Sequence, residues 1–282
     1  METLGARKLY SLIDEPNARF RTLNNYMVRS NSGVEVANYP ELVQRVAELS
    51  FFNPEHVLLF RGQKEDWTNS KGNSSLKPGI FRPFPGKRAS PKSDELRGRY
   101  EKLARADYLL SKEYPFTGRQ RMSRYRILRW AILQHYEVCP TPLLDVTHSL
   151  RVAASFATNH TPPAEPILYV LGVPALSGTI TASSEQGLQI IRLSSICPPE
   201  ARRPYFQEGY LLAEYPDLVT LDEKLNYAAW EVDFGRRLLA KFRLARSGFW
   251  SAAFPAIPHE ALYPDQSDAM TPFARHIKER LT

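Results

Sequence analysis

Two cysteines in 282 residues, Cys139 and Cys197, are too few and too far apart for a disulfide framework or a thiolate metal site. Both read as small hydrophobes. No apolar run approaches the roughly eighteen residues that a membrane helix needs. The opening Met1-Glu2-Thr3-Leu4-Gly5-Ala6-Arg7-Lys8 lacks the apolar stretch of a signal peptide, so the expectation is a cytoplasmic protein with no membrane partner. There is no G-x-S-x-G elbow, no phosphate-cradling G-x-x-x-x-G-K-S/T, no G-x-G-x-x-G and no histidine pair at zinc spacing. Serine-hydrolase, P-loop and zinc-hydrolase readings fall away, and no metal is expected. Zinc-finger spacing, an aromatic RNA-binding signature and internal repeats are missing as well.

What is present is an ordinary globular composition, 43% hydrophobic and 24% charged, enough to bury a full core. The most telling stretch is Leu58-Leu59-Phe60-Arg61-Gly62-Gln63. Val57 to Phe60 reads as a short buried strand, which delivers Arg61 to the mouth of a core. A guanidinium there needs an anionic partner; its planar fork suits phosphate or carboxylate, and Gly62 lets a ligand or another backbone come close. Asp145 lies inside the apolar run Leu143-Leu144-Asp145-Val146-Thr147, a second candidate strand. Burying that carboxylate alone costs several kcal/mol, so it too needs a partner. Arg61 and His135 are both candidates, and an internal Arg61–Asp145 pair is one reading of both residues. His135, in Gln134-His135-Tyr136, needs a visible partner before it counts as a base.

Net charge is +7, unevenly spread: residues 61–130 carry 18 Lys/Arg against 7 Asp/Glu, which leaves the remainder near −4. That segment either attracts an anionic partner or forms a solvated helical face. Along the chain, Pro40 to Ser50 has helical spacing, and Thr68 to Ser93 reads as an irregular loop anchored by residues 76–82. Asp94 opens a helix to about Ser111. A second, Arg-rich helix runs from Gln120 to His135, with Arg119, Arg126 and Arg129 together on its polar side. Ser149 caps a helix bearing Val152, Ala153, Phe156 and Ala157. Ile167–Val173, Leu188–Leu193 and Tyr205–Ala213 read as strands, Leu221–Ala245 as mostly helical, and the chain ends in a helix from about Thr271. This alternation predicts an α+β fold with a mixed sheet.

The ordered motifs Phe60-Arg61-Gly62-Gln63, Gln134-His135-Tyr136, Pro140-Thr141, Leu143-Leu144-Asp145, Thr147, Ala153, Phe156-Ala157 and Arg203 with Gln207 and Gly209 resemble the FRG-domain family, named for its Phe-Arg-Gly signature. Ala261-Leu262-Tyr263-Pro264-Asp265 is similar to that family's closing stretch. The resemblance covers about 40–281 and implies a single FRG domain over 40–282, preceded by an extension, 1–39. Glu137 stands where a glycine follows His-Tyr in the family pattern, one residue is inserted before Pro140, Pro142 replaces a common arginine, and Val146 a tryptophan.

The motif order in turn resembles that of Arg-Ser-Glu ADP-ribosyltransferases, which implies a mixed, split sheet with flanking helices and NAD as substrate. On that resemblance Arg61, Gly62, Gln63, His135, Tyr136 and Thr147 contact NAD, and a carboxylate stabilises the oxocarbenium character that develops as the nicotinamide–ribose bond breaks. Gln207 occupies the catalytic position and cannot ionise, so adjacent Glu208 or Asp145 supplies the charge, or the site binds without cleaving. The resemblance implies a macromolecular acceptor, protein or nucleic acid, and a toxin or phage-defence setting. Two other readings stand beside it: a noncatalytic nucleotide- or nucleic-acid-binding module, and a protein-interaction domain in which Arg61, Asp145 and Gln207 form a buried polar network.

Overall fold

The computed structural model of the chain describes residues 9–15, 23–83, 90–159, 165–174, 178–184, 186–226 and 233–281. In chain order its first elements are α1 (Asn25–Ser30), β1 (Val34–Val36), α2 (Tyr39–Phe52), β2 (His56–Gln63), α3 (Ser93–Glu113), α4 (Arg119–Arg124) and α5 (Arg126–His135). Next come β3 (Leu144–Thr147), α6 (Leu150–Thr158), β4 (Ile167–Pro174), β5 (Ile180–Ser183), β6 (Leu188–Arg192), α7 (Leu193–Ile196), α8 (Arg203–Phe206) and β7 (Gly209–Glu214). The last are α9 (Leu221–Asn226), β8 (Leu238–Leu244), α10 (His259–Leu262) and α11 (Met270–Glu279). The fold is α+β with a mixed, open sheet, as the alternation predicts. No helix among the described residues is long and apolar enough to cross a membrane.

The chain divides into two compact units, and β3 contributes residues to both. The first draws on Met1–Leu76, Val146–Ser177 and Asp233–Leu262. Its strands run β1-β8-β4-β2, with Thr147 of β3 paired to Phe60. β2 and β4 are antiparallel over their full length, from His56 opposite Pro174 to Gln63 opposite Ile167. β1 lies parallel to β8, and Leu12 bridges Ala240. One face of these strands carries Leu58, Phe60, Leu168, Val170, Ala240 and Phe242, which pack on α2 and α6. Each of the larger side chains, removed from water, contributes about 1.5–3 kcal/mol, and Ala240 less.

α2 shows how local chemistry sets an element's limits. Asn38 accepts the Glu41 N–H at 2.9 Å, and Pro40 lies in the first turn, where its missing N–H is not needed. Leu42, Val46 and Leu49 form the buried stripe, and the helix stops at Asn53, followed by Pro54.

The second unit draws on Lys77–Asp145, Gly178–Val232 and Tyr263–Thr282. β7, β6 and β5 form an antiparallel run, with Leu188 opposite Glu214 and Ile180 opposite Ile191. Tyr100, Leu103 and Leu110 of α3, Leu128 and Ile132 of α5, and Ile277 of α11 share one core with Ile191 and Leu211.

Three segments differ from the sequence expectation. The Arg-rich helix is two helices, broken where Tyr125 turns extended (φ −110°, ψ 106°). Arg129 lies buried at that break instead of on a polar face: it binds both Asp107 oxygens at 2.8 and 3.0 Å and the carbonyls of Met122 and Ser123. Leu238–Leu244, expected to be helical, is the strand β8, because Ala240, Phe242 and Leu244 alternate with Lys241 and Arg243. Tyr205 and Phe206, expected to open the strand Tyr205–Ala213, belong instead to a helical turn begun by Arg203-Pro204, and β7 starts only at Gly209.

Candidate functional site

In the first unit β2 continues through Arg61 to Gln63, so Arg61 sits within the strand and not at its end. Alternation puts Arg61 and Gln63 on one face and Gly62 on the other. The Gly62 face is closed: a Cβ there would lie 1.7 Å from the Ala153 carbonyl oxygen and 2.9 Å from the Ala157 nitrogen. The close approach that Gly62 permits is therefore made by the backbone of α6. On the opposite face the Gln63 side-chain oxygen accepts from Arg61 Nε at 2.9 Å and Nη2 at 3.1 Å, steadying a half-buried guanidinium. Thr147 is buried, and its hydroxyl accepts the Ser149 N–H at 3.0 Å, shaping the entry into α6.

Arg61 heads a cross-strand row, Arg61–Tyr169–Lys241, over β2, β4 and β8. Lys241, 2% exposed, donates to Asp66 Oδ2 at 2.8 Å, Ser74 Oγ at 2.7 Å and the Arg29 carbonyl at 3.2 Å. Tyr169 donates to Asp66 Oδ1 at 2.7 Å, and its hydroxyl is held far above the ordinary tyrosine range by burial and by that carboxylate. Arg29 continues the network to Asp233 at 2.5 Å, whose other oxygen accepts the Leu76 and Gly235 N–H groups. This network pins the chain that follows β2, and the sequence expectation contained none of it.

In the second unit the last turn of α5 presents Gln134 and His135. The Glu137 N–H bonds the Gln134 carbonyl at 3.0 Å and the Val138 N–H the Leu133 carbonyl at 2.9 Å, a Schellman ending with Glu137 left-handed (φ 54°). That conformation accounts for the glycine of the family pattern at this position. Gln134 donates to Asp145 Oδ2 at 2.5 Å while its oxygen accepts from the Thr141 hydroxyl, also at 2.5 Å. His135 Nδ1 lies 3.7 Å from Asp145 Oδ1, and its Nε2 is buried without a hydrogen-bond partner. The Asp145 side chain is 37% exposed. Asp145 thus lies beside His135, one of the two partners the sequence offers for it.

Tyr136 belongs to a different cluster. Its hydroxyl donates to Asp268 at 2.7 Å, and its ring packs under the Arg203 guanidinium, which also lies over Tyr263 and bonds Asp265 at 2.7 Å. Burial first, and Asp268 second, hold that phenol strongly protonated. Three pieces of the family resemblance, Tyr136, Arg203 and Tyr263-Pro264-Asp265, thereby form one structural knot. Gln207 is buried at the C-cap of α8, and Glu208, exposed, follows in the left-handed region (φ 45°). Neither stands in a strand, so the alternation expected of them does not apply.

The basic segment is partly consumed by its own surroundings. Arg97 pairs with Asp222 at 2.9 Å, and Arg99 donates to the carbonyls of Ile80 and Arg82. Cys139 and Cys197 are buried, and burial pushes both thiols up to about 12, so neither is a nucleophile. No cluster of three metal-ligating side chains occurs among the described residues.

An α+β fold with an arginine set in a central strand beside a small helix-packed glycine is what these residues define. The FRG domain family model matches residues 56–165, from the first residue of β2 to just before β4. The chain carries an FRG domain over that segment. The motifs around Arg203 and Tyr263 lie outside the matched segment. No curated protein and no solved structure matches the chain.

Proposed function

We propose that this FRG-domain protein is an ADP-ribosyltransferase-like enzyme that takes NAD as substrate and transfers ADP-ribose to a macromolecular acceptor, in the setting of a toxin or phage-defence effector. The observation that carries the reading is Arg61: a half-buried guanidinium steadied by Gln63 on a rigid strand, with its glycine neighbour sealed by α6. Such a group suits a pyrophosphate, because its fork is held in place before the ligand arrives. The chemistry NAD supplies is a nicotinamide leaving group on an anomeric carbon. In this reading a carboxylate stabilises the positive charge that develops there, and Asp145, which Gln134 orients within the second unit, is the residue to test for it. Gln207 cannot carry that role, and Glu208 is the weaker candidate, since it lies exposed in a left-handed turn and not on a strand.

Nicotinamide release from NAD tests the reading. Arg61→Ala and Asp145→Asn each lower it about 100-fold with the thermal midpoint little changed, and Glu208→Gln leaves it within about threefold. Equal loss in all three, or no release by the native chain with protein and nucleic-acid acceptors, removes the proposal. A second reading is favoured by the Tyr136–Arg203–Asp265 knot: the family signature as a fold stabiliser in a noncatalytic domain. Under it Arg61→Ala changes stability alone.

A further inference from the structure

From Tyr114 to Tyr136 the chain has five arginines and no Asp or Glu. The fold sorts them. Arg129 turns inward and takes both oxygens of Asp107, so the nearby carboxylate is already engaged; Arg126 reaches it only at 4.0 Å. Glu113, the other acid at this end of α3, is taken by His276 of α11 and by Arg280, which follows that helix. Arg119, Arg121, Arg124 and Arg126 are exposed, and Met122 alone turns inward from α4.

Two exposed rings accompany these cations. Tyr125 is 44% and Tyr108 59% exposed; the Arg124 guanidinium lies 5.4 Å from the Tyr125 centroid and the Lys112 ammonium 5.7 Å from that of Tyr108. Contact between the Arg119 guanidinium and the Lys112 carbonyl at 3.3 Å places the start of α4 beside the end of α3, so both rings flank one basic surface.

We infer that this surface, made by the end of α3, α4 and the start of α5, binds single-stranded nucleic acid. The exposed guanidinium forks of Arg119, Arg121 and Arg124 suit successive phosphates, and exposed tyrosine rings offer stacking faces to unpaired bases. A membrane fits less well, because no exposed Leu, Ile, Phe or Trp lies among these residues to enter a bilayer. An acidic peptide would use the cations but not the rings. The inference stands apart from the NAD reading, since it concerns binding and needs no reaction.

Fluorescence anisotropy with the full chain and a labelled twelve-nucleotide single strand, as DNA and as RNA, tests it. With about four phosphates contacted, the logarithm of affinity should fall with the logarithm of salt concentration with a slope near −3. Arg121→Gln with Arg124→Gln should weaken binding at least tenfold and flatten the slope by about 1.4. Tyr125→Ala should weaken it at least fivefold with the slope unchanged. Arg45→Gln on α2 serves as the control, and unchanged circular dichroism establishes folding. Binding no tighter than that of polyglutamate or of anionic vesicles, a salt-independent signal, or a double variant indistinguishable from the native chain each overturns the inference.

Discussion

The polar cluster around Lys241 in the first unit and the one around Asp145 in the second are built from similar side chains and finished differently. Around Lys241 every ammonium proton has an acceptor, and Asp66 and Asp233 are each met by several donors. The chain leading into that region uses glycine where the backbone must be left-handed: Gly33 has φ 93°, and a Cβ there would press on the Lys241 backbone. Around Asp145 the network Thr141–Gln134–Asp145 reaches His135 and leaves its buried Nε2 without a partner. There the left-handed position is held by Glu137, against the steric preference of an L residue. A saturated, unstrained cluster is what stability selects. An unsaturated one beside a strained turn is what binding or catalysis retains at some cost in stability.

The sharpest way to break the comparison is to remove Lys241. Lys241→Met leaves the partly buried Asp66 without its countercharge and should lose about 3 kcal/mol in urea unfolding. A loss below about 1 kcal/mol would mean that the network is not a scaffold. His135→Leu in the second cluster removes an imidazole whose Nε2 is already unsatisfied, so the lost contact and the relieved desolvation offset each other. Its stability should stay within about 1 kcal/mol of the native chain, while nicotinamide release falls at least tenfold. If His135→Leu unfolds the protein as readily as Lys241→Met, the two clusters do the same work.

Much of the first unit was legible because its signals are local. The apolar spacing of α2, the run ending at Phe60-Arg61-Gly62, and the small residues Ala153 and Ala157 behind Ser149 each declare an element within a few residues. Lys241 and Asp66 could not be paired in the same way: they stand 175 residues apart, and neither is marked by a motif. β8 was misread because seven residues containing Lys and Arg look solvated until a neighbouring network accepts the lysine. In the second unit Arg129 departs from the sequence expectation for a related reason. Its charge looked like part of a basic face, and only the break at Tyr125 turns it toward Asp107. Arg61, Asp145 and His135 stand out as candidates because an ionisable group inside an apolar run is itself the signal. The direction of Gly62 was not, since sequence permits either a ligand or a helix above it.

The smallest expected effect sharpens the comparison most directly. Glu137 holds the left-handed position that ends α5 and so fixes the last turn carrying Gln134 and His135. Glycine adopts that conformation without the Cβ conflict, so Glu137→Gly should stabilise the protein by about 1 kcal/mol, partly offset by the greater freedom of glycine in the unfolded chain. A rise of a few degrees in the thermal midpoint would show that the strain is real and is carried by the Asp145 cluster. A fall would show that the Glu137 side chain makes contacts worth more than the strain, and the contrast with Gly33 beside Lys241 would then rest on the unsatisfied His135 alone.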